Sequence, residues 1–132
     1  HLMRGEVFEI DGNTFFTLGG AVSHDRIYRT EGISWWTQEI PSKAEIDHAI
    51  DTLARHRNQV DYVLTHPCPF DALSEIRLRV NSWDRYGNYS VEKALQAIND
   101  TIHYRDWYFG HWHMDFDHNP YHAMYNRVLR LE

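Results

Sequence analysis

Two histidines in the segment WYFGHWHMD, His111 and His113, have the spacing of a pair of metal ligands. On extended backbone, side chains two residues apart project to the same side, so both imidazoles can address one metal ion or two neighbouring ones. Gly110 precedes them and would let the chain turn sharply at that point. The segment therefore predicts a metal-binding loop that follows a strand.

His66 is a third candidate, because it also stands directly after a short apolar segment, VDYVLT. Pro67 and Pro69 follow it and favour a loop. Open α/β sheets bind their ligands at the carboxyl ends of the strands, which is where all three histidines are predicted to lie. Spacing alone leaves an alternative open, in which they are ordinary hydrogen-bonded histidines at the rim of the core.

The first elements of the chain are predicted to be a β-hairpin and a long loop. Strand-forming residues fill 6–10 and 13–18, and Asp11-Gly12 between them is typical of a tight turn. Residues 20–41 are predicted to be irregular, which is unusual for so long a segment unless the loop has a function.

Helices and strands then alternate. Ser42 and Glu45 form a capping-box pattern that predicts a helix with an apolar face of Ile46, Ile50 and Leu53. A buried strand is predicted to end at Thr65-His66, and a short helix lies within 71–80. The remaining predictions are a helix capped by Ser90 with the stripe Val91, Leu95, Ile98 and Ile102, a strand over DWYF, and a last strand over about 121–131. This order indicates an α/β layered architecture.

Composition and charge restrict the class of protein. The 132 residues fit one domain, 1–132, and a hydrophobic content of 42% suffices for a core. The net charge of −6 argues against a nucleic-acid-coating protein but leaves a nucleotide substrate open, because a bound metal reverses the local field. No apolar run is long enough to cross a membrane and no signal peptide is recognisable. With Cys68 as the single cysteine, a cytoplasmic protein without an internal disulfide is predicted.

Two segments carry a family resemblance. VDYVLTHPCP and, later, DWYFGHWHMD resemble the last two motifs of the calcineurin-like metallophosphoesterases, in which one strand ends in a metal-binding histidine and a later strand ends in G-H-x-H. FFTLGGAVSHDRIYRTEGISWWTQEIP is also similar to the bacterial and phage members, which carry a G-G-A segment and a Trp-Trp pair. The resemblance covers nearly the whole chain.

The resemblance implies a two-metal centre in which His66 and His111 bind one cation and His113 binds the other. Such centres lower the pKa of a bridging water to make hydroxide and clamp phosphate oxygens, so the implied reaction is hydrolysis of a phosphate mono- or diester. The implied cofactors are divalent manganese, iron or zinc, among which imidazole ligands do not choose. The implied fold is the C-terminal half of a layered αββα sandwich, made of a β-hairpin, helices and a mixed sheet.

The chain departs from the family at its earlier motifs. D-x-H, G-D and G-N-H-D or G-N-H-E, which supply the aspartates, an asparagine and the assisting histidine, are absent from the sequence, so no catalytic residue is assigned. We interpret the chain as the C-terminal half of a phosphoesterase domain, truncated and with an incomplete dinuclear site. Three neutral imidazoles cannot balance the roughly four positive charges of two divalent cations. We therefore expect this chain alone to bind at most one transition metal, weakly, and to hydrolyse little.

Several other residues have two interpretations. Arg29 in the long loop is a candidate for contacting substrate phosphate, and the alternative is a surface ion pair with Asp25. We interpret Trp35 and Trp36 as packing anchors and Cys68 as a small buried residue instead of a soft ligand. The acidic and histidine residues after G-H-W-H are interpreted as ordinary loop residues that could, as the alternative, add ligands: Asp115, Asp117, His118 and His122.

A non-catalytic function is the alternative from a different class. A half domain left with unpaired strand edges and apolar faces would self-associate. We therefore expect a homo-oligomer, or association with the missing N-terminal half.

Overall fold

A six-stranded mixed β-sheet forms the centre of the fold in the computed structural model. The structure describes residues 3–22, 30–33, 37–81, 83 and 87–131. The strands are β1 (Glu6–Ile10), β2 (Asn13–Leu18), β3 (Tyr62–Thr65), β4 (Asp106–Phe109), β5 (Phe116–His118) and β6 (Tyr121–Ala123), and they lie in the order β1-β2-β3-β4-β6-β5. The four inner strands are parallel, and β1 and β5 pair antiparallel at the two edges. The predicted α/β class is confirmed.

The hairpin of β1 and β2 has the predicted bounds and turn. Ile10 pairs with Asn13, so the turn consists of Asp11 and Gly12 alone. Both residues have positive φ, +50° and +79°, as a two-residue type I′ turn requires.

In the described residues, three α-helices accompany the sheet: α1 (Lys43–Arg55), α2 (Leu73–Arg77) and α3 (Ser90–Asn99). Short 3₁₀ turns at Thr37–Glu39 and Phe70–Ala72 precede the first two. The longest of the three has 13 residues. Within the described part of the chain, no helix has the length and apolar character needed to cross a bilayer.

Helix α1 begins with the predicted capping box. Ser42 Oγ accepts from Glu45 N at 3.1 Å, and Glu45 Oε1 accepts from Ser42 N at 3.3 Å. The predicted apolar face is wrong at Ile50, which is 44% exposed, whereas Ala49 is fully buried. The helix lies so close to the start of β1 that a Cβ at Gly5 would be 3.0 Å from Ala49 Cα, closer than an ordinary van der Waals contact, so glycine at position 5 permits this approach.

The start of α3 also differs from the prediction. Ser90 is the first helical residue and its hydroxyl does not cap the helix; Asn88 Oδ1 instead accepts from Ser90 N at 3.0 Å. The helix ends at Asn99, so Ile102 lies beyond it, yet Ile102 remains in the core. All four residues of the predicted stripe therefore lie in the core, but the helix is shorter than predicted.

The predicted last strand over 121–131 is wrong in extent. It ends at Ala123 as β6, and β5 forms an unpredicted antiparallel partner for it. Side chains bind the backbone that follows: Asp115 Oδ1 accepts from Tyr125 N at 2.6 Å, and Arg127 donates to Ala123 O at 2.9 Å. These side chains occupy backbone groups that a longer strand would use for pairing, although apolar residues continue to alternate in the sequence.

The hydrophobic core lies on one face of the sheet. Alternate strand residues, among them Phe16, Val63 and Trp107, form one cluster with the buried residues of all three helices. The intervening residues project to the other face and do not belong to that cluster: Phe15, Tyr62, Leu64, Tyr108 and His122. The described helices therefore cover a single face of the sheet.

Candidate metal site

The carboxyl ends of the parallel strands bring His66 and His111 to neighbouring positions. Thr65 at the end of β3 is in register with Phe109 at the end of β4, and Gly110 N donates to His66 O at 2.9 Å. Thr65 Oγ1 also accepts from the buried Trp107 Nε1 at 2.7 Å, which fixes the residue before His66. The sheet thus places both histidines side by side at the carboxyl ends of β3 and β4, as the positions of the strands predicted.

The two imidazoles face each other with ring nitrogens in contact. His66 Nε2 lies 3.1 Å from His111 Nδ1, and the ring planes are inclined at 76°. If each nitrogen were about 2.05 Å from a shared cation, this separation would subtend an angle of about 100° at the metal. That angle lies between octahedral and tetrahedral values, so the pair fits two sites of one coordination sphere. A direct N–H···N hydrogen bond between the rings is the alternative that the same distance allows.

The loop that carries His111 and His113 is bent, and the predicted extended backbone is wrong. Both histidines have positive φ, +67° and +51°, a region that costs a non-glycine residue about 1 kcal/mol. The sharp turn is made by these residues instead of by Gly110, where an added Cβ would have ordinary contacts, 3.6 Å to Met124 O and 3.9 Å to His66 Nδ1. Backbone strain of this kind occurs at functional sites, and this chain also has it in ordinary turns, at Asp11, Arg57 and Asn58.

Aromatic stacking holds the bent loop in place. Trp112, between the two histidines, stacks on Trp83 with ring centroids 5.9 Å apart and an interplanar angle of 21°. The His113 ring stacks on Tyr125 at 4.9 Å and 18°. Each such pair contributes about 0.5–1.5 kcal/mol beyond the area it buries, enough to offset the dihedral cost.

The environment of His66 favours neutral imidazole. Burial lowers its pKa, and the charge of His113 lowers the pKa further. Neutral imidazole is the form that binds metal ions. His113 therefore belongs to the same electrostatic neighbourhood as the other two histidines, although its ring is held against Tyr125.

The described residues do not complete a metal site. Among them, no three histidine, cysteine, aspartate or glutamate side chains are arranged to hold one ion. Two imidazoles in contact supply two ligands and no negative charge, whereas a stable site for a divalent cation needs more of both. What the described residues bring together is a pair of histidines in contact.

The acidic and histidine residues after the loop have structural partners. Asp117 accepts from Arg127 at 2.7 Å and lies 2.6 Å from His122 Nδ1, while His122 Nε2 lies 2.9 Å from Asp106. Arg127, and then His122, holds the pKa of Asp117 well below its usual range. The side chain of Asp115 binds backbone amides, and His118 lies 3.6 Å from Glu75. These contacts support the interpretation of all four as ordinary residues of the fold.

Cys68 lies behind His66 and is fully buried, as predicted. Burial raises the pKa of its thiol, and the neighbouring Glu92 charge raises it further. Because a thiolate is the form that binds metals, this environment disfavours Cys68 as a soft ligand. Glu92 itself is a buried carboxyl on α3 that the sequence reasoning missed.

Arg4 is the other residue near the site that the sequence reasoning missed. It lines a cavity of about 240 Å³ together with Gly20, Ala21, Glu39 and His66. The predicted hairpin could have indicated that Arg4, just before β1, lies beside Gly20, just after β2, because an antiparallel β1 must begin beside the end of β2. Arg29 and Asp25, which were the predicted phosphate contact and its ion-pair partner, lie outside the described residues, as do Trp35 and Trp36.

Comparison of the chain with protein-family models, with curated proteins and with solved structures found no match.

Proposed function

We propose that this chain carries the histidine ligands of a metal-dependent phosphoesterase, in an incomplete form of the dinuclear site. The observation that supports this most directly is the 3.1 Å contact between His66 Nε2 and His111 Nδ1 at adjacent strand ends. The resemblance of the T-H and G-H-W-H segments to the calcineurin-like metallophosphoesterases provides the reaction class, hydrolysis of phosphate mono- or diesters. The strained backbone at His111 and His113 agrees with a site that is held for a purpose other than packing.

Each histidine has its own part in this proposal. His66 and His111 would hold one divalent cation, manganese, iron or zinc, and His113 would contribute to a second position beside it. When bound, such a cation supplies Lewis acidity toward water and a phosphate oxygen. Trp112 and Tyr125 keep the ligand-bearing loop bent through their ring contacts.

Metal binding by the purified chain tests the ligand set. We expect Co²⁺ to bind weakly at one equivalent, followed by visible absorption and calorimetry, and the binding to be lost in His66→Ala and in His111→Ala. His56→Ala, which removes an exposed histidine at the end of α1, is the matched control and should bind as the unsubstituted chain does. Unchanged Co²⁺ binding in His66→Ala and His111→Ala would show that their contact is only a hydrogen bond.

Turnover separates an incomplete site from a complete one. Because the histidines supply no negative charge, we expect little hydrolysis of bis(p-nitrophenyl) phosphate by the chain with added Mn²⁺. Robust turnover that disappears in His111→Ala would support the reaction class and refute the incomplete site. Robust turnover that persists in this variant would place the activity elsewhere.

The one-sided core favours a second candidate function, self-association as a homo-oligomer or with a chain that carries the carboxylate motifs. On the face opposite the described helices, Phe15 and Tyr62 are buried, at 8% and 1% exposure, and the partly exposed Tyr108 continues their row, with ring centroids 5.1 Å and 6.3 Å apart. Partly exposed Leu64 lies on the same face. The surface that this face offers to a partner is therefore Leu64 with the exposed part of Tyr108, and a second copy would bury it.

Light scattering of the purified chain tests this second function. We expect a mass of at least a dimer, reduced to that of a monomer by Leu64→Glu. Ile50→Glu introduces the same charge at an exposed position of α1 and should leave the mass unchanged. A monomer at all concentrations would refute self-association through this face.

A further inference from the structure

A small cavity connects the candidate metal site with a cationic side chain. Arg4, Gly20, Ala21, Glu39 and His66 line a space of about 240 Å³. This is below the roughly 300 Å³ at which pockets for drug-sized ligands begin. Its size suits a group as small as a phosphate.

The fold holds the Arg4 guanidinium in a fixed position at this cavity. Arg4 Nη2 donates to Glu39 O at 3.1 Å, and Nη1 donates to Glu45 Oε2 at 3.1 Å. The same Glu39 carbonyl accepts from Ala21 N at 3.1 Å, so one oxygen anchors both the arginine and the turn after β2. Among the described residues these two bonds use two of the five guanidinium donors, and three remain for a ligand.

Gly20 brings the backbone into direct contact with this arginine. Its φ is +99°, and an added Cβ would lie 2.3 Å from Glu39 O and 2.9 Å from Arg4 Nη2. Only glycine leaves room for the guanidinium at this place. The space beside Arg4 therefore depends on the G-G-A segment.

A larger groove adjoins the small cavity at Arg4. It has a volume of about 700 Å³, shares Arg4 and Gly20 with the small cavity, and is also lined by Met3, Ala44 and His48. This volume is typical of sites for small organic molecules. A phosphate at Arg4 would thus have His66 on one side and room for an organic group on the other.

We propose that Arg4 is a substrate-positioning residue that binds the phosphate of an organic phosphate ester beside His66, with the organic group of the ester in the Met3–Ala44–His48 groove. A guanidinium and a phosphate form paired charge-assisted hydrogen bonds, for which a fixed arginine is well suited. This inference rests on the proposed function, because it assigns a substrate class to that same site.

Titration with inorganic phosphate in the absence of metal tests the arginine independently of the histidines. We expect phosphate to shift the amide resonances of Gly20 and Ala21, and Arg4→Gln to weaken the binding about tenfold or more. Glu45→Gln keeps the arginine and removes its competing carboxylate, so it should tighten binding. Arg55→Gln makes the same charge change on an exposed position of α1 and should have no effect.

Phenyl phosphate tests the groove. It should bind more tightly than inorganic phosphate, and Ala44→Phe, which fills the groove from the exposed side of α1, should abolish that difference while leaving inorganic phosphate binding unchanged. Equal affinities for the two anions in the unsubstituted chain would refute the groove as the site of the organic group. A folded Arg4→Gln variant that binds phosphate normally would refute the role of Arg4.

The outcomes also distinguish this inference from the proposed metal function. Phosphate binding that depends on Arg4, in a chain that binds no Co²⁺, would sustain the anion site and overturn the metal function. Co²⁺ binding that depends on His66, without phosphate binding at Gly20 and Ala21, would support the metal function and refute the anion site.

Discussion

Because of Glu92, the free energy of unfolding of this protein should decrease as the pH rises from 4.5 to 7. The side chain is 1% exposed, and its Oε2 has no hydrogen-bond partner among the described residues. Burial raises the pKa of Glu92 from 4.5 to about 7. Because desolvation penalises the charged form, the folded chain keeps a proton there that the unfolded chain has already released.

The size of the effect follows from the two pKa values. Between pH 4.5 and 7 the native state binds one proton more than the unfolded state, so the free energy of unfolding decreases as the pH rises through this range. At roughly 1.4 kcal/mol for each pH unit, the total decrease is about 3 kcal/mol. Below and above this range Glu92 contributes no further pH dependence.

Glu92→Gln isolates this contribution, because glutamine has nearly the same shape and is neutral at every pH. We expect the variant to match the unsubstituted chain near pH 4.5 and to exceed its free energy of unfolding by about 3 kcal/mol at pH 8. Urea unfolding followed by circular dichroism at a series of pH values measures both curves. Glu9→Gln removes an exposed carboxylate and is the control for the change in net charge.

A difference between Glu92→Gln and the unsubstituted chain that does not change with pH would refute the reasoning. A variant less stable than the unsubstituted chain at pH 8 would refute it more strongly, since it would mean that ionised Glu92 is stabilised in the native state.

Five further substitutions, two of them controls, test the fold by urea unfolding. Ser42→Ala should lower the free energy of unfolding by about 1 kcal/mol, whereas Ser90→Ala, whose hydroxyl does not cap its helix, should change it little. Gly20→Ala should cost about 1 kcal/mol for its positive φ plus the clash with Glu39 O, whereas Gly12→Ala, with no atom near its Cβ, should cost only the dihedral term. Asp117→Asn should lower stability at pH 7 by at most about 1 kcal/mol, because its ion pair is exposed, and by less at pH 3, where the carboxyl of unfolded Asp117 is largely protonated and part of the ion pair's contribution is lost. Equal losses for the two serines, equal losses for the two glycines, or a loss at Asp117 that is the same at both pH values would contradict these assignments.

Local signals predicted the hairpin and the start of α1 because each depends on residues adjacent in sequence. Asp11-Gly12 defines its turn, and Ser42 with Glu45 closes the capping box, without help from the remainder of the chain. The site was predictable to the same extent: two strand ends placed His66 and His111 at one edge. Their mutual orientation depends on the pairing of β3 with β4, which the sequence does not state.

The errors occur where contacts between distant residues decide the structure. Glu92 occupies the apolar stripe of α3, and a carboxyl there is not expected from hydrophobic periodicity. Arg127 and Asp115 end β6 early by binding backbone groups of the neighbouring turn. The backbone of His111 takes a positive φ although glycine stands directly before it. Each of these features depends on a partner that is remote in sequence or on a strain that propensity does not describe.

Because Cys68 is buried, its reactivity reports how stable the native structure is around His66. The chain has one sulfhydryl group, and it lies two residues after His66 with no solvent access. A disulfide reagent such as DTNB can therefore react only when this segment opens, and its labelling rate under native conditions reports the free energy of that opening. If ligand binding at His66 and His111 stabilises the segment, Co²⁺ should slow the labelling before any change in the global unfolding transition is seen.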